Sequence, residues 1–272
     1  MFVGHFGIMK SCMKAYIDNL KRFRPLMRQL VIRNIKVRYR KSILGVFWTL
    51  LNPLLIMIVL SVVFSNIFKF EIEYYPVYIL SGQVIFNFFS EATNFSMMSI
   101  LSNAPLIKKI YVPKYTFPFA AILSSIINVM ASFAALVIIM VFMRMPLHWT
   151  ILLSFVPIIL LIIISTGVGL MLSAFAVKFR DLLHFYSVFL TALMYLMPVI
   201  YPISIIQNAP VIFEIVSYNP LTIILDMFRD LVMYGNLPDL MSVIIIFSIC
   251  IGILAIGLFV FYKKQDKFIL DI

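Results

Sequence analysis

Between residues 77 and 100, polar side chains interrupt an apolar run. Gln83, Asn87, Glu91 and Asn94 follow at intervals of four, four and three, with Ser90 beside them, so they share one helix face. Turning that face to lipid is costly. An acidic residue at mid-membrane costs on the order of 2.5–3.5 kcal/mol. The stripe must therefore face protein or a wet cavity. Hydrogen bonding between helices, worth roughly 1 kcal/mol per contact, satisfies that demand. So does the lining of a polar pathway, and the residues leave both open. A weaker stripe of His184, Ser187, Thr191 and Tyr195 lies further along.

Little else in the chain could do chemistry. There is no G-x-x-x-x-G-K-[ST] phosphate loop and no H-E-x-x-H pair. His5, His148 and His184 are scattered, and Cys12 and Cys250 have no metal-ligand or disulfide spacing. No cofactor, metal site or catalytic residue is expected. A membrane-embedded transferase acting on lipid-linked sugar would need convergent carboxylates or a histidine at one membrane face, and these residues do not supply them. A second constellation is electrostatic. Arg33, Arg38, Arg40 and Lys41 sit just ahead of an apolar run that stays uncharged until Lys69. They could meet anionic lipid headgroups, or they could simply mark the cytoplasmic side.

The elements that position these residues are membrane helices. Of the 272 residues, 63% are hydrophobic and 12% charged, with a mean hydropathy of +1.08. A soluble domain is nearer about 45–50% apolar and 25% charged. The expected fold is an all-α integral membrane protein with six spans near 46–68, 77–100, 117–142, 151–177, 183–203 and 240–262. Each is long enough for the ~20 residues a crossing needs. The second is the least apolar. Residues 21–39 form a basic amphipathic helix expected to lie in the headgroup plane. The chain divides into a cytoplasmic N-terminus (1–45), a six-span body (46–262) and a cytoplasmic tail (263–272). Its start lacks the apolar core of a cleaved signal peptide, so the first span serves as insertion signal.

Charge sets the orientation. Of 22 Lys and Arg, only Lys69, Arg144 and Arg229 fall on the outer side of this topology, which places both termini in the cytoplasm. The net charge of +11 sits between spans, so lipid and topology explain it, and nucleic acid is not an expected partner.

Two connections stand out. The outer one, 204–239, holds a helix candidate at 221–234. Asn219 can cap it, Pro220 suits its first turn, and Gly235 can end it. Ile224, Met227, Phe228 and Leu231 share one face, while Asp226, Arg229 and Asp230 make it too polar to cross. It reads as a hairpin dipping into or lying on the outer leaflet. The inner loop after span two holds a short helix at 104–110 bracketed by prolines, with exposed lysines. Topogenic charge and a docking surface for a cytoplasmic partner both fit it. Small residues, Ser165, Gly169 and Ser173 in span four and Ser248 and Gly252 in span six, suit close helix packing.

The blocks VRYRKSILGVFWTLLNPLL (37–55), NAPLIKKIYVPKYTFP (103–118), KFRD (178–181) and YNPLTIILDMFRDLVMYG (218–235) appear in the order seen in one family. The chain resembles type-2 ABC transporter permeases that export O-antigen, capsule or teichoic-acid chains. That resemblance implies a homodimer in the bacterial plasma membrane, docked on two copies of an ATP-binding subunit that holds the ATP and Mg. It implies a polyprenyl-pyrophosphate-linked polysaccharide as cargo, met at the headgroup level by Arg33, Arg38, Arg40 and Lys41. It makes Asn103, Ala104, Pro105, Leu106, Ile107, Lys108 and Lys109 the coupling helix. It makes Gln83, Phe86, Asn87, Ser90, Glu91, Asn94 and Tyr195 channel-lining candidates, and it assigns Tyr218, Asn219, Pro220, Phe228 and Arg229 to an outer re-entrant gate. A drug- or lipid-exporting permease of the same superfamily is the alternative.

Overall fold

The computed structural model describes residues 23–39, 44–68 and 72–268. These are helical, with no strand among the described residues. The amphipathic helix is α1, Arg24–Tyr39. Next come α2, Trp48–Phe68, entered through a 3-10 turn at Gly45–Phe47, and α3, Tyr75–Ser102. The short α4 is Ala104–Ile107 and α5 is Thr116–Phe142. A 3-10 turn at Trp149–Ser154 leads into α6, Phe155–Ala176, followed by α7, Leu182–Leu196. The outer connection folds as α8, Pro210–Ser217, and α9, Pro220–Arg229. Finally α10 runs Leu240–Lys264.

Three helical stretches are long and apolar enough to cross a membrane: Thr116–Phe142, Trp149–Ala176 and Leu240–Lys267. Trp48–Val63 and Leu182–Leu196 are shorter apolar helices. At 28 residues, α3 has ample length but is too polar to count with the first group. It is instead the central helix. It packs against α2, α5, α6, α7 and α9, and its side chains from Val77 to Phe86 are buried throughout. Low apolarity and high burial belong together here, because a helix walled by protein can keep polar groups that lipid would penalise.

Span five is shorter than expected. Hydropathy carries it from 183 to 203, but α7 stops at Leu196. Met197 is extended (φ −73°, ψ 142°), as the ring of the following proline demands. Pro198 also lacks the N–H to continue the ladder. Residues 197–202 therefore leave helical structure, and their carbonyls lose helical partners.

Lipid tails are as apolar as leucine, so close packing rather than water expulsion holds such helices together. Gly167 of α6 shows how close. A Cβ there would lie 2.7 Å from the Ile253 carbonyl oxygen, and one on Gly257 would strike the Gly167 carbonyl. The backbones of α6 and α10 touch at this crossing. The sequence points to Gly252 for that role, but Gly252 faces open space. Gly169 packs instead on α3, where its Cβ would sit 2.6 Å from the Ser96 Oγ.

A second, smaller core closes the end of the bundle where α3 meets α4. It joins Leu30 of α1, Ile100 of α3, Ile107 of α4, Phe117 of α5, Leu170 of α6 and Phe261 of α10.

Candidate functional site

One end of the bundle is built around Arg229. Asn219 caps α9, its side-chain oxygen accepting from the Leu221 N–H at 3.0 Å, and Pro220 takes the first turn. The face expected to be apolar is buried: Ile224, Met227, Phe228 and Leu231. Phe228 is fully buried and meets Phe133 edge-on at 6.0 Å, so it is a packing residue. After Arg229 the helix widens into a π turn, Asp230–Tyr234. Thr150 donates to the Leu231 carbonyl within it at 2.6 Å. Gly235 ends it at φ 71°, with the His148 ring where a Cβ would stand. Tyr218 is exposed.

Arg229 lies on the buried side, 3% exposed. Its Nε donates to Ser81 Oγ (3.2 Å), Nη1 to the Tyr78 hydroxyl (2.9 Å) and the Pro198 carbonyl (2.7 Å), and Nη2 to the carbonyls of Tyr78 (3.2 Å) and Val199 (3.1 Å). Five bonds match the five donors of a guanidinium. None of the acceptors is a carboxylate. Tyr75 and Tyr78 take the next carbonyls, Ile200 at 2.8 Å and Tyr201 at 3.1 Å. The carbonyls freed by the proline break after α7 are thus satisfied from α3 and α9. Gly82 makes room, since a Cβ there would lie 2.9 Å from the Val199 oxygen and 3.0 Å from Arg229 Nη2. The arrangement pins hairpin, α3 and the end of α7 to one another. Sequence reasoning places Arg229 in the hairpin but sees only its polarity. One helix step from Phe228, about 100°, sets Arg229 off the Ile224–Leu231 face, so no local pattern marks its burial.

The polar stripe of α3 is split by environment. Gln83 and Phe86 are buried, while Asn87, Ser90, Glu91 and Asn94 are half-buried. Neither amide atom of Gln83 finds a partner among the described residues. Glu91 accepts from Asn128 Nδ2 of α5 at 2.6 Å, so part of the stripe meets protein. Tyr195 is not brought to it. It is exposed on α7, opposite the buried Tyr186, Leu190 and Leu193. Tyr186, which the sequence did not single out, ties α7 to α3 by donating to Thr93 Oγ1 at 2.7 Å.

The opposite end of the bundle turns on Asn103. It closes α3 and opens α4, and its Nδ2 donates to the Ser99 carbonyl at 2.7 Å. Its Oδ1 accepts from Arg33 Nη2 of α1 at 2.6 Å. The helix here is shorter than the 104–110 expected, ending at Ile107, which is buried in the smaller core. Ala104 and Leu106 are half-buried and Pro105 is exposed. Lys108, Lys109, Ile110 and Tyr111 project outward, Tyr111 being 99% exposed. On the far side Lys114 Nζ donates to the Gln265 carbonyl at 2.6 Å. Burial lowers the Lys114 amine below its usual value, against the pull of Asp266. A basic, apolar-tipped surface is held from both sides on a packed base. Arg33 is exposed on α1; Arg40, Lys41 and the side chain of Arg38 lie outside the described residues.

Comparison with known families bears on these ends directly. The family described as "ABC-2 type transporter" matches residues 25–233. The chain belongs to the ABC-2 type transporter family. The match runs from α1 through the π turn after α9, so Asn103, the central helix and the Arg229 junction lie within the family's common part, while α10 lies beyond it. The chain is 26% identical over 253 residues to the O-antigen export system permease protein RfbA of Myxococcus xanthus, covering 93% of this chain and 97% of that one. It is 28% identical over 255 residues to RfbA of Klebsiella pneumoniae, with 92% and 96% covered. Identity to the polysialic acid transport protein KpsM of Escherichia coli is 25% over 249 residues, with 87% and 92% covered. As an ABC-2 family member, this chain is a membrane transporter component.

Proposed function

We propose that this ABC-2 family chain is the permease subunit of an ATP-driven exporter that moves a lipid-linked cell-surface polysaccharide across the plasma membrane. The observation that carries it is the end-to-end likeness to O-antigen and polysialic acid permeases. Two of these relatives are named for O-antigen export and one for polysialic acid, and this disfavours a drug- or small-lipid exporter. A transferase is disfavoured by the same names.

In this reading six helices span the bilayer, with α3 as the second, α7 as a short fifth, and both termini cytoplasmic. The α8–α9 pair, bent by 73° at its break, is a re-entrant hairpin on the outer side. Two copies pair, and two ATP-binding subunits, which carry ATP and Mg, dock below. Lys108, Lys109, Ile110 and Tyr111 form the docking face. Its attachment to α1 through Arg33–Asn103 and to the tail through Lys114–Gln265 supports that role, because a push there is passed on rather than absorbed. Arg38, Arg40 and Lys41 meet the cargo's pyrophosphate at the inner leaflet, a charge-assisted contact suited to guanidinium groups; Arg33, read with them from the sequence, is bonded to Asn103. Gln83, Asn87 and Glu91 border the polar path.

The test is co-purification with the ATP-binding subunit. ATP turnover that needs both subunits, and loss of surface polysaccharide when this chain is deleted, are the expected results. Nucleotide hydrolysis by the isolated chain would overturn the reading.

A further inference from the structure

A cavity of about 720 Å³ lies between α1 and the inner ends of α3 and α5. Leu30, Val37, Phe95, Met98 and Ala121 give it apolar walls, and Arg33, with Asn34, Ser102 and Asn103, forms a polar end. The two ends are ordered along α3. Phe95 and Asn103 are separated by about 12 Å of helical rise. The polar end is therefore at the level of the docking turn, and the apolar end points toward the bilayer centre.

Three observations restrict what fills this space. First, it is far larger than the roughly 30 Å³ share of one water, and apolar cavities of this kind take hydrocarbon rather than water. Val37, 68% exposed, and Met98, 40% exposed, leave its side open to the bilayer. Second, the polar end has donors to spare. Arg33 uses Nη2 on Asn103, while its Nε and Nη1 have no hydrogen-bond partner among the described residues. Third, Arg33, the charged side chain of the lining, is itself exposed, so the mouth of the cavity carries a positive charge. Basic pockets between membrane helices on the cytoplasmic side suit anionic lipid headgroups.

We infer that this cavity is the seat of an anionic phospholipid of the cytoplasmic leaflet, its acyl chain along Phe95 and Met98 and its phosphate on Arg33. The inference rests on the orientation given under the proposed function. The lipid is a resident part of the permease, distinct from its cargo. It fills the gap under α1 that side chains leave open. It also adds an anionic acceptor to the Arg33–Asn103 link, so the stiffness of the join between α1 and the docking turn depends on lipid charge.

The test uses the full complex with its ATP-binding subunit. Retained lipid is identified by native mass spectrometry after exchange into vesicles of phosphatidylcholine alone or mixed with phosphatidylglycerol. The wild-type complex is expected to keep one phosphatidylglycerol per protomer in preference to phosphatidylcholine. Met98→Trp and Ala121→Phe, on different helices, fill the cavity and lower retention about tenfold. Arg33→Gln removes the preference between the two lipids. Equal retention in both cavity-filling variants would overturn the inference. So would wild type holding phosphatidylcholine as firmly, holding no lipid, or holding a polyprenyl-linked saccharide instead. Surface polysaccharide that persists when this chain is deleted, with phosphatidylglycerol still retained by the purified complex, counts against the permease reading alone; a wild-type complex that supports export without preferring phosphatidylglycerol counts against this site alone.

Discussion

The guanidinium of Arg229 lies over the ring of Tyr78, 3.5 Å from its centre, and donates to that residue's hydroxyl at 2.9 Å. One aromatic side chain thus offers both its π face and its oxygen to a single buried cation. Together with Ser81 and the carbonyls of Tyr78, Pro198 and Val199, this leaves the charge no donor unused. The bent α8–α9 segment is consequently fastened to the protein's central helix rather than laid over it.

Arg229→Met should cost about 3 kcal/mol, because it orphans buried carbonyls that had a charged donor. Arg229→Lys should fail to restore stability, since an ammonium cannot reach five acceptors in a planar fork. Thermal unfolding of the purified protein checks both. A lysine variant that melts with wild type would show that charge alone suffices.

Gly257→Leu should drive α6 and α10 apart at the point where the Gly167 carbonyl meets Gly257. Overpacking typically costs about 1–3 kcal/mol. Gly252→Leu, which adds its side chain to open space, should change little and serves as its control. The comparison is read as melting temperature and yield of the two variants side by side.

Glu91→Leu should remove the 2.6 Å bond from Asn128 and cost about 1 kcal/mol. Glu91→Gln keeps an acceptor oxygen at that place and should melt close to wild type. If Glu91 also borders the export path, Glu91→Gln lowers surface polysaccharide at unchanged stability. Unchanged export in cells carrying Glu91→Gln would leave Glu91 only its packing role.

Replacing Lys108 and Lys109 together by Glu should leave folding and membrane insertion unaltered, since both are exposed, while lowering recovery of the ATP-binding subunit on co-purification by about tenfold. Asn103→Ala should act differently. It cuts the Arg33 link and the bond to the Ser99 carbonyl, so ATP turnover and export should fall out of step while the partner stays bound.

Much of this protein was legible from residue order. Hydropathy and length placed α5, α6 and α10 within a few residues, because a run of apolar side chains has few other stable homes. Asn219, Pro220 and Gly235 marked the limits of the outer helix, since capping and left-handed backbone are local requirements. The motif blocks pointed to the family that residues 25–233 match. Tertiary structure decided the rest. Hydropathy carries span five through Pro198 to residue 203, and only the fold reveals the break there and that Arg229, Tyr75 and Tyr78 donate to the carbonyls it frees. A glycine's identity cannot tell Gly257, which touches another backbone, from Gly252, which faces open space. Nor can a polar stripe declare that Glu91 meets Asn128 while Tyr195 faces away. Local chemistry sets where helices start, stop and turn. Partners separated by 37 to 151 positions are chosen only when those helices come together.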